Sequence, residues 1–185
     1  MDAIVLAGGR GTRLGGRDKA ALTFGGRTSL ERVLDAAGAA ERTVVVGDPH
    51  VTTADVIWTR EEPAGAGPVA AIAAGLSFVT AELVAVVAVD LPLLERDDFE
   101  TLRRSLGGAD GVIFVDGDGR DQPLAGMYRT EPLRRALGAL QETRNARVGA
   151  LVRGLALARI VNQRASCDCD TPEDVQRVER VLQGR

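Results

Sequence analysis

The sequence has a single histidine, His50, and a single lysine, Lys19, and only 3% of its residues are aromatic. One histidine nearly excludes a His-based zinc site or a His-driven catalytic triad, so any metal is expected to be a hard ion held by carboxylates. The two cysteines, Cys167 and Cys169, are one residue apart. That spacing is neither a C-x-x-C motif nor a disulfide framework, and it reads as two small apolar fillers on one strand face. No stretch is apolar enough to span a bilayer and no signal peptide precedes the first strand, so a cytoplasmic location is expected. A net charge of −3 argues against general binding to nucleic acid or membrane. Repeats, low-complexity stretches and linkers are missing too, and 185 residues read most simply as one domain, 1–185.

What is present begins at Ala3. An apolar run from Ala3 to Ala7 stops in Gly8-Gly9, and a loop carrying Arg10, Gly11, Arg13, Gly15, Gly16 and Arg17 follows and closes at Lys19. A buried strand that empties into a glycine-rich basic loop is how α/β proteins seat phosphates. Glycines let backbone N–H groups approach oxygens closely, and the cations neutralise charge. Of 23 Lys plus Arg, only Lys19 is lysine, and it lies in this loop. A compact ammonium and a planar guanidinium do different work around phosphate. The loop is not G-x-x-x-x-G-K-[ST], because Asp18 precedes Lys19 and Ala20 follows it. A correctly spaced G-x-G-x-x-G is also missing, which disfavours hydride transfer with a dinucleotide.

Strand and helix patterns alternate along the chain. Thr28 and Glu31 have capping-box spacing and open a helix over Ser29 to Ala40. Strands are expected at Thr43 to Val46 and Val56 to Trp58, and a second glycine loop, Arg60 to Pro68, leads into a small-residue helix over Val69 to Phe78. Leu83 to Val89 is the most continuous apolar run and the expected central strand, ended by Asp90-Leu91-Pro92. A helix over Asp97 to Leu106 follows. Gly111 to Val115 and Gln122 to Tyr128 read as a hairpin about Asp116–Gly119. Helices are expected over Glu131 to Leu140 and Val148 to Val152, and a strand over Leu155 to Val161. The last helix starts at Thr171-Pro172, with Glu173 and Asp174 in its first turn. The fold class is therefore α/β, a three-layer Rossmann-like domain with a mainly parallel sheet and one antiparallel excursion.

Ligands of such sheets sit beyond the carboxyl ends of the strands. Four loops meet that rule: 8–19, 47–48, 61–68 and 90–92. Asp90, at the end of the central strand, is placed to hold a cation near phosphates; the lesser alternative is that it caps the next turn.

Leu6, Ala7, Gly8, Gly9, Arg13, Gly15 and Lys19 supply the pattern L-A-G-G-x-x-x-R-x-G-x-x-x-K. It resembles the signature of glycosyltransferase-A-like nucleotidyltransferases, of nucleotide-diphospho-sugar transferase type. Gly67, Pro68, Ala70, Gly75 and Leu76, then Val89 to Pro92, then Asp170 to Asp174 extend it over nearly the whole chain. Together they resemble the molybdenum cofactor guanylyltransferase family. The resemblance implies transfer of GMP from GTP to the terminal phosphate of molybdopterin or molybdenum cofactor, with Mg²⁺ as cofactor and pyrophosphate as leaving group. It implies that the Leu6–Ala7–Gly8–Gly9 backbone reads the guanine edge. Arg13 and Lys19 would bind the triphosphate, Glu61 would contact the nucleotide, and Asp90 would ligate Mg²⁺. Gly47 falls where the family has a polar contact that this chain lacks.

Asp168 and Asp170 depart from the family's Asn-x-Asn. Strand alternation would put both acids on one face, opposite the cysteines. They could be acceptor-side groups or a second metal ligand, or Asp170 could be a polar lead-in to the Thr171 cap. Rival readings are CTP with the same pterin, a nucleotide donor with a sugar or lactate phosphate, and a non-catalytic nucleotide-binding regulatory protein. The expected partners are GTP and the pterin phosphate acceptor, without nucleic acid or membrane, in a monomer or weak homo-oligomer.

Overall fold

In the computed structural model, which describes residues 1–9 and 15–184, β1 (Asp2–Leu6) is buried along its whole length. It sends Ala3 and Val5 into one apolar layer and Ile4 and Leu6 into the other. Both faces are covered, which is why the strand reads as a continuous apolar run rather than an alternating one. The sheet has seven strands in the order β5-β4-β1-β6-β8-β7-β9. They are β4 (Arg42–Val46), β5 (Ile57–Thr59), β6 (Leu83–Ala88), β7 (Gly111–Val115), β8 (Asp121–Arg129) and β9 (Leu157–Val161), with β1. Strand β8 pairs antiparallel with β6 and β7, and the other pairings are parallel. The run Leu83 to Val89 does form the middle strand, β6.

One face is covered by α1 (Ser29–Ala36) and α3 (Arg96–Ser105), through Leu30, Val33, Leu34, Phe99 and Leu102. The other carries α2 (Pro68–Leu76), α4 (Thr130–Gly138) and α5 (Val148–Val152), through Val69, Ile72, Leu133 and Leu151. This is the expected three-layer arrangement. A Cβ on Gly75 of α2 would lie 2.7 Å from Ile4 Cγ2, so the small-residue helix sits hard against β1. A short hairpin of β2 (Thr23–Phe24) and β3 (Arg27–Thr28) turns at Gly25-Gly26. Against it packs α6 (Pro172–Gln183), where Phe24, Leu93, Cys169 and Val178 form a small separate core.

Helix α1 starts as its capping box dictates, Thr28 Oγ1 accepting from the Glu31 N–H at 3.1 Å and Glu31 Oε2 from the Thr28 N–H at 2.7 Å. It ends at Ala36 rather than Ala40, because the Gly38 N–H turns back to the Asp35 carbonyl and leaves the α-helical register. A larger correction falls on residues 162–170, where Asp168 and Asp170 are not on a strand. Strand β9 stops at Val161, and Asn162 opens a turn by accepting from Ala165 N at 3.1 Å and from Ser166 N at 3.1 Å. The alternation that would have aligned the two acids therefore never applies. Cys169 is buried, and Cys167 packs partly buried against the same core, so both act as fillers, but from a loop.

Candidate active site

Strand register assembles the site. Leu6 is level with Val46 on one side and with Ala88 on the other. The Ala7 N–H donates to the Val46 carbonyl at 2.8 Å, and the Val89 N–H to the Leu6 carbonyl at 3.0 Å. The Gly8-Gly9 loop, the Gly47 turn and Asp90 thus leave the sheet side by side. A cleft of about 450 Å³ opens there, lined by Leu6, Gly8, Gly9, Lys19, Glu61, Gly65, Gly67, Pro68, Asp90, Leu124 and Asp170 among others. The nucleotide residues expected from sequence therefore converge, with two exceptions. Ala7 directs its side chain into the apolar core and is not among the residues lining the cleft. Arg13 lies outside the described residues.

At the floor, Lys19 Nζ donates to Asp90 Oδ2 at 2.6 Å and also to Asp170 Oδ1. Burial acts to lower the Lys19 pKa, but the charge of Asp90 and the hydrogen bonds that Lys19 donates to both carboxylates outweigh it and raise it, so the ammonium stays charged. Two carboxylates from loops 80 residues apart in sequence thus share one cation position. Among the described residues no trio of His, Cys, Asp or Glu is grouped to cage a metal. A pair of carboxylates open to a cleft suits a hard ion such as Mg²⁺, which keeps waters and ligand oxygens in its shell.

Glu61 lines the same cleft and accepts from the Gly65 N–H at 2.8 Å, closing the second glycine loop on itself. Gly47 has no side chain to reach the cleft; its N–H donates to the Thr59 carbonyl at 2.9 Å, and its place is set by packing. A Cβ there would lie 2.9 Å from the Ala7 carbonyl carbon and 3.1 Å from Gly8 N, at a φ of +155°.

Asp168 parts from Asp170. It lines a second cavity of about 870 Å³ with Asp116, Arg120, Gln163, Arg164, Cys167 and Arg177. Partial burial, then the nearby charges of Asp90, Asp170 and Asp174, raise its pKa, with Lys19 opposing. This cavity is the larger, but its guanidinium groups are committed: Arg120 to Asp118, Arg164 to Asp98 and Arg177 to Asp174. The first cleft, by contrast, is lined by the Gly8-Gly9 loop and Lys19.

Sequence reasoning missed three elements. Asn145 N donates to the Ala66 carbonyl at 2.6 Å, which lays the basic segment 142–147 along the second glycine loop. Its Arg144 and Arg147 are exposed and have no ion-pair partner among the described residues. His50 stacks on Trp58 and joins Asp18 Oδ2 through Nε2 at 2.6 Å, bracing the residue before Lys19. The partly exposed Arg164 pairs with the buried Asp98 behind the acidic loop. Each of these is a tertiary contact with no local pattern to announce it.

Residues 3–161 match the family described as "MobA-like NTP transferase domain". A protein of Opitutus terrae named "Probable molybdenum cofactor guanylyltransferase" is 37% identical over 160 residues, covering 80% of this chain and 78% of the relative. "Molybdenum cofactor guanylyltransferase" of Cereibacter sphaeroides is 29% identical over 187 residues, covering 97% and 95%. The crystal structure of molybdopterin-guanine dinucleotide biosynthesis protein A from Archaeoglobus fulgidus superposes over 100% of both chains with a TM-score of 0.73 at 23% identity. A 2-C-methyl-D-erythritol 4-phosphate cytidylyltransferase from Thermus thermophilus also gives 0.73, at 20% identity, over 97% of this chain and 98% of its own. At such identities these two structures bear on the fold alone.

Proposed function

Since this chain belongs to the MobA-like NTP transferases, and is a nucleotidyltransferase, we propose that it transfers GMP from GTP to the terminal phosphate of molybdopterin or molybdenum cofactor. The observation that carries this reading is the meeting of Gly8-Gly9, Lys19, Glu61, Asp90 and Asp170 in one cleft. The relatives named molybdenum cofactor guanylyltransferase support a guanylyl group and a molybdenum cofactor acceptor.

An acceptor phosphate oxygen forms a bond to the α-phosphorus of GTP, the bond to the β-phosphate bridge oxygen breaks, and pyrophosphate leaves. That nucleophile is already ionised at neutral pH, so no general base is required. The only histidine is occupied with Asp18 and is not among the residues lining the cleft. Backbone groups of Leu6 to Gly9 hold the guanine, and Glu61 fixes the loop across from it. Lys19 neutralises charge on the triphosphate, a task the family resemblance also gives to Arg13. Asp90, with Asp170 as second ligand, would hold Mg²⁺, which when bound withdraws charge from the phosphoryl oxygens. Arg144 and Arg147, exposed on the segment laid along the second glycine loop, are available to an anionic acceptor, whereas Asp168 lines the other cavity. The chain works as a single domain, 1–185, in the cytoplasm, as a monomer or weak homo-oligomer without nucleic acid or membrane.

Thermal unfolding with GTP, CTP, ATP or UTP, each with Mg²⁺, tests the donor. GTP is expected to stabilise most, by about 2.7 kcal/mol at 100 times its Kd. A larger shift with CTP would reassign the donor. Pyrophosphate release that depends on both GTP and molybdopterin tests the transfer, and its failure with every nucleotide would remove the pterin acceptor.

A further inference from the structure

The loop that delivers Asp170 has no secondary structure to hold it, yet it must keep a carboxylate opposite Asp90. Two contacts do that. The Cys169 N–H donates to the Asp90 carbonyl at 3.0 Å, tying the two acidic loops backbone to backbone. Behind them, Arg164 Nη2 donates to Asp98 Oδ1 at 2.6 Å and Oδ2 at 2.7 Å, and Nη1 donates to the Leu93 carbonyl, three residues after Asp90. The Asp98 side chain is only 5% exposed. Its remaining acceptor capacity is taken by Asn162 Nδ2 at 2.9 Å and the Glu95 N–H at 2.8 Å. One guanidinium therefore clamps three pieces together: the acidic loop, the Asp90–Leu94 turn and the first turn of α3.

We propose that Arg164 and Asp98 are positioning residues for nucleotidyl transfer, fixing the separation of Asp90 and Asp170 and so the affinity of the cation site between them. This rests on the reading of Asp90 and Asp170 as the cation-holding pair. A planar guanidinium that gives one nitrogen to the Asp98 carboxylate and the other to the Leu93 carbonyl fixes their spacing, and a single ammonium at position 164 could satisfy only part of that geometry. Supports of this kind typically change metal affinity or activity about 10- to 100-fold when altered.

The test uses Arg164→Lys and the double variant Arg164→Met/Asp98→Leu. The double variant removes both charges, so that neither is left buried alone. Each is first shown to unfold cooperatively. Nucleotide affinity is then measured in EDTA, Mn²⁺ affinity at saturating nucleotide is read from free Mn²⁺ by electron paramagnetic resonance, and kcat and KM are determined. Both variants are expected to bind nucleotide in EDTA like wild type but to bind Mn²⁺ about 10-fold or more weakly. Their kcat falls while KM for GTP at saturating metal is unchanged, and the lysine variant is the milder. Wild-type Mn²⁺ affinity in the folded variants overturns the inference. So does an equal loss of nucleotide binding in EDTA, which would mark the pair as a fold anchor only. Failure of the wild-type protein itself to bind Mn²⁺ with nucleotide would instead sink the cation-site reading, and the inference with it.

Discussion

Lys19 has two competing tasks. Without ligands its ammonium bridges Asp90 and Asp170, and during transfer it must reach phosphate. Lys19→Met is therefore expected to lower turnover by about 10²-fold or more, as loss of a transition-state donor does. The same change empties the cation position, so this variant should bind Mn²⁺ without nucleotide more tightly than wild type. Equilibrium titration with Mn²⁺ checks the sign, and weaker binding would mean that the ammonium does not hold the cation position. His50 offers a second residue-level test. Burial acts to lower its pKa, but the Asp18 carboxylate on Nε2 and the Asp48 carbonyl on Nδ1 outweigh it and raise it. A raised folded pKa means that protonated His50 contributes stability below its unfolded value of about 6.5, lost as pH rises through the higher folded value. Wild type should exceed His50→Gln in unfolding free energy at about pH 6, and the gap should shrink by about pH 9. A pH-independent gap between the two chains would count against the ion pair.

Between elements, the close approach of the β4–β5 turn to the β1 loop is the sensitive contact. Gly47→Ala would push a methyl group against the Ala7 and Gly8 backbone, which can yield only by moving the loop that seats the nucleotide. Overpacking of this kind costs roughly 1–3 kcal/mol. The denaturant midpoint should fall at constant m, and nucleotide affinity should fall with it. An unchanged nucleotide affinity would separate Gly47 from the site. The signals for the elements themselves were mostly local. The run Leu83 to Val89, the Thr28 and Thr171 caps and the glycine punctuation each acted over a few residues, and each element formed where its signal lay. Alternation failed at 162–170 because the side chain and carbonyl of Asn162 compete for the backbone and end the strand.

For the whole molecule, the cleft lies over the carboxyl edge of the sheet and draws on β1, β6, the second glycine loop and the segment before α6. Ligand binding there should stabilise the entire fold. Chelating divalent metal with EDTA is expected to reduce the GTP-induced rise in unfolding temperature without abolishing it, and calorimetry with and without the chelator measures it. A rise that survives EDTA in full would show that nucleotide binding does not depend on metal. The layer order, the glycine loop, the lone lysine and Asp90 were determined by the sequence alone. Each depends on residue type within one strand, turn or cap, where short-range sterics and burial decide. Tertiary structure decided that Asp170 joins Asp90 while Asp168 faces another cavity, and that Arg164, Asp98 and His50 brace the site. Those outcomes depend on strand register and on ion pairs between residues 32 to 151 positions apart. No window of sequence holds both partners of such a contact.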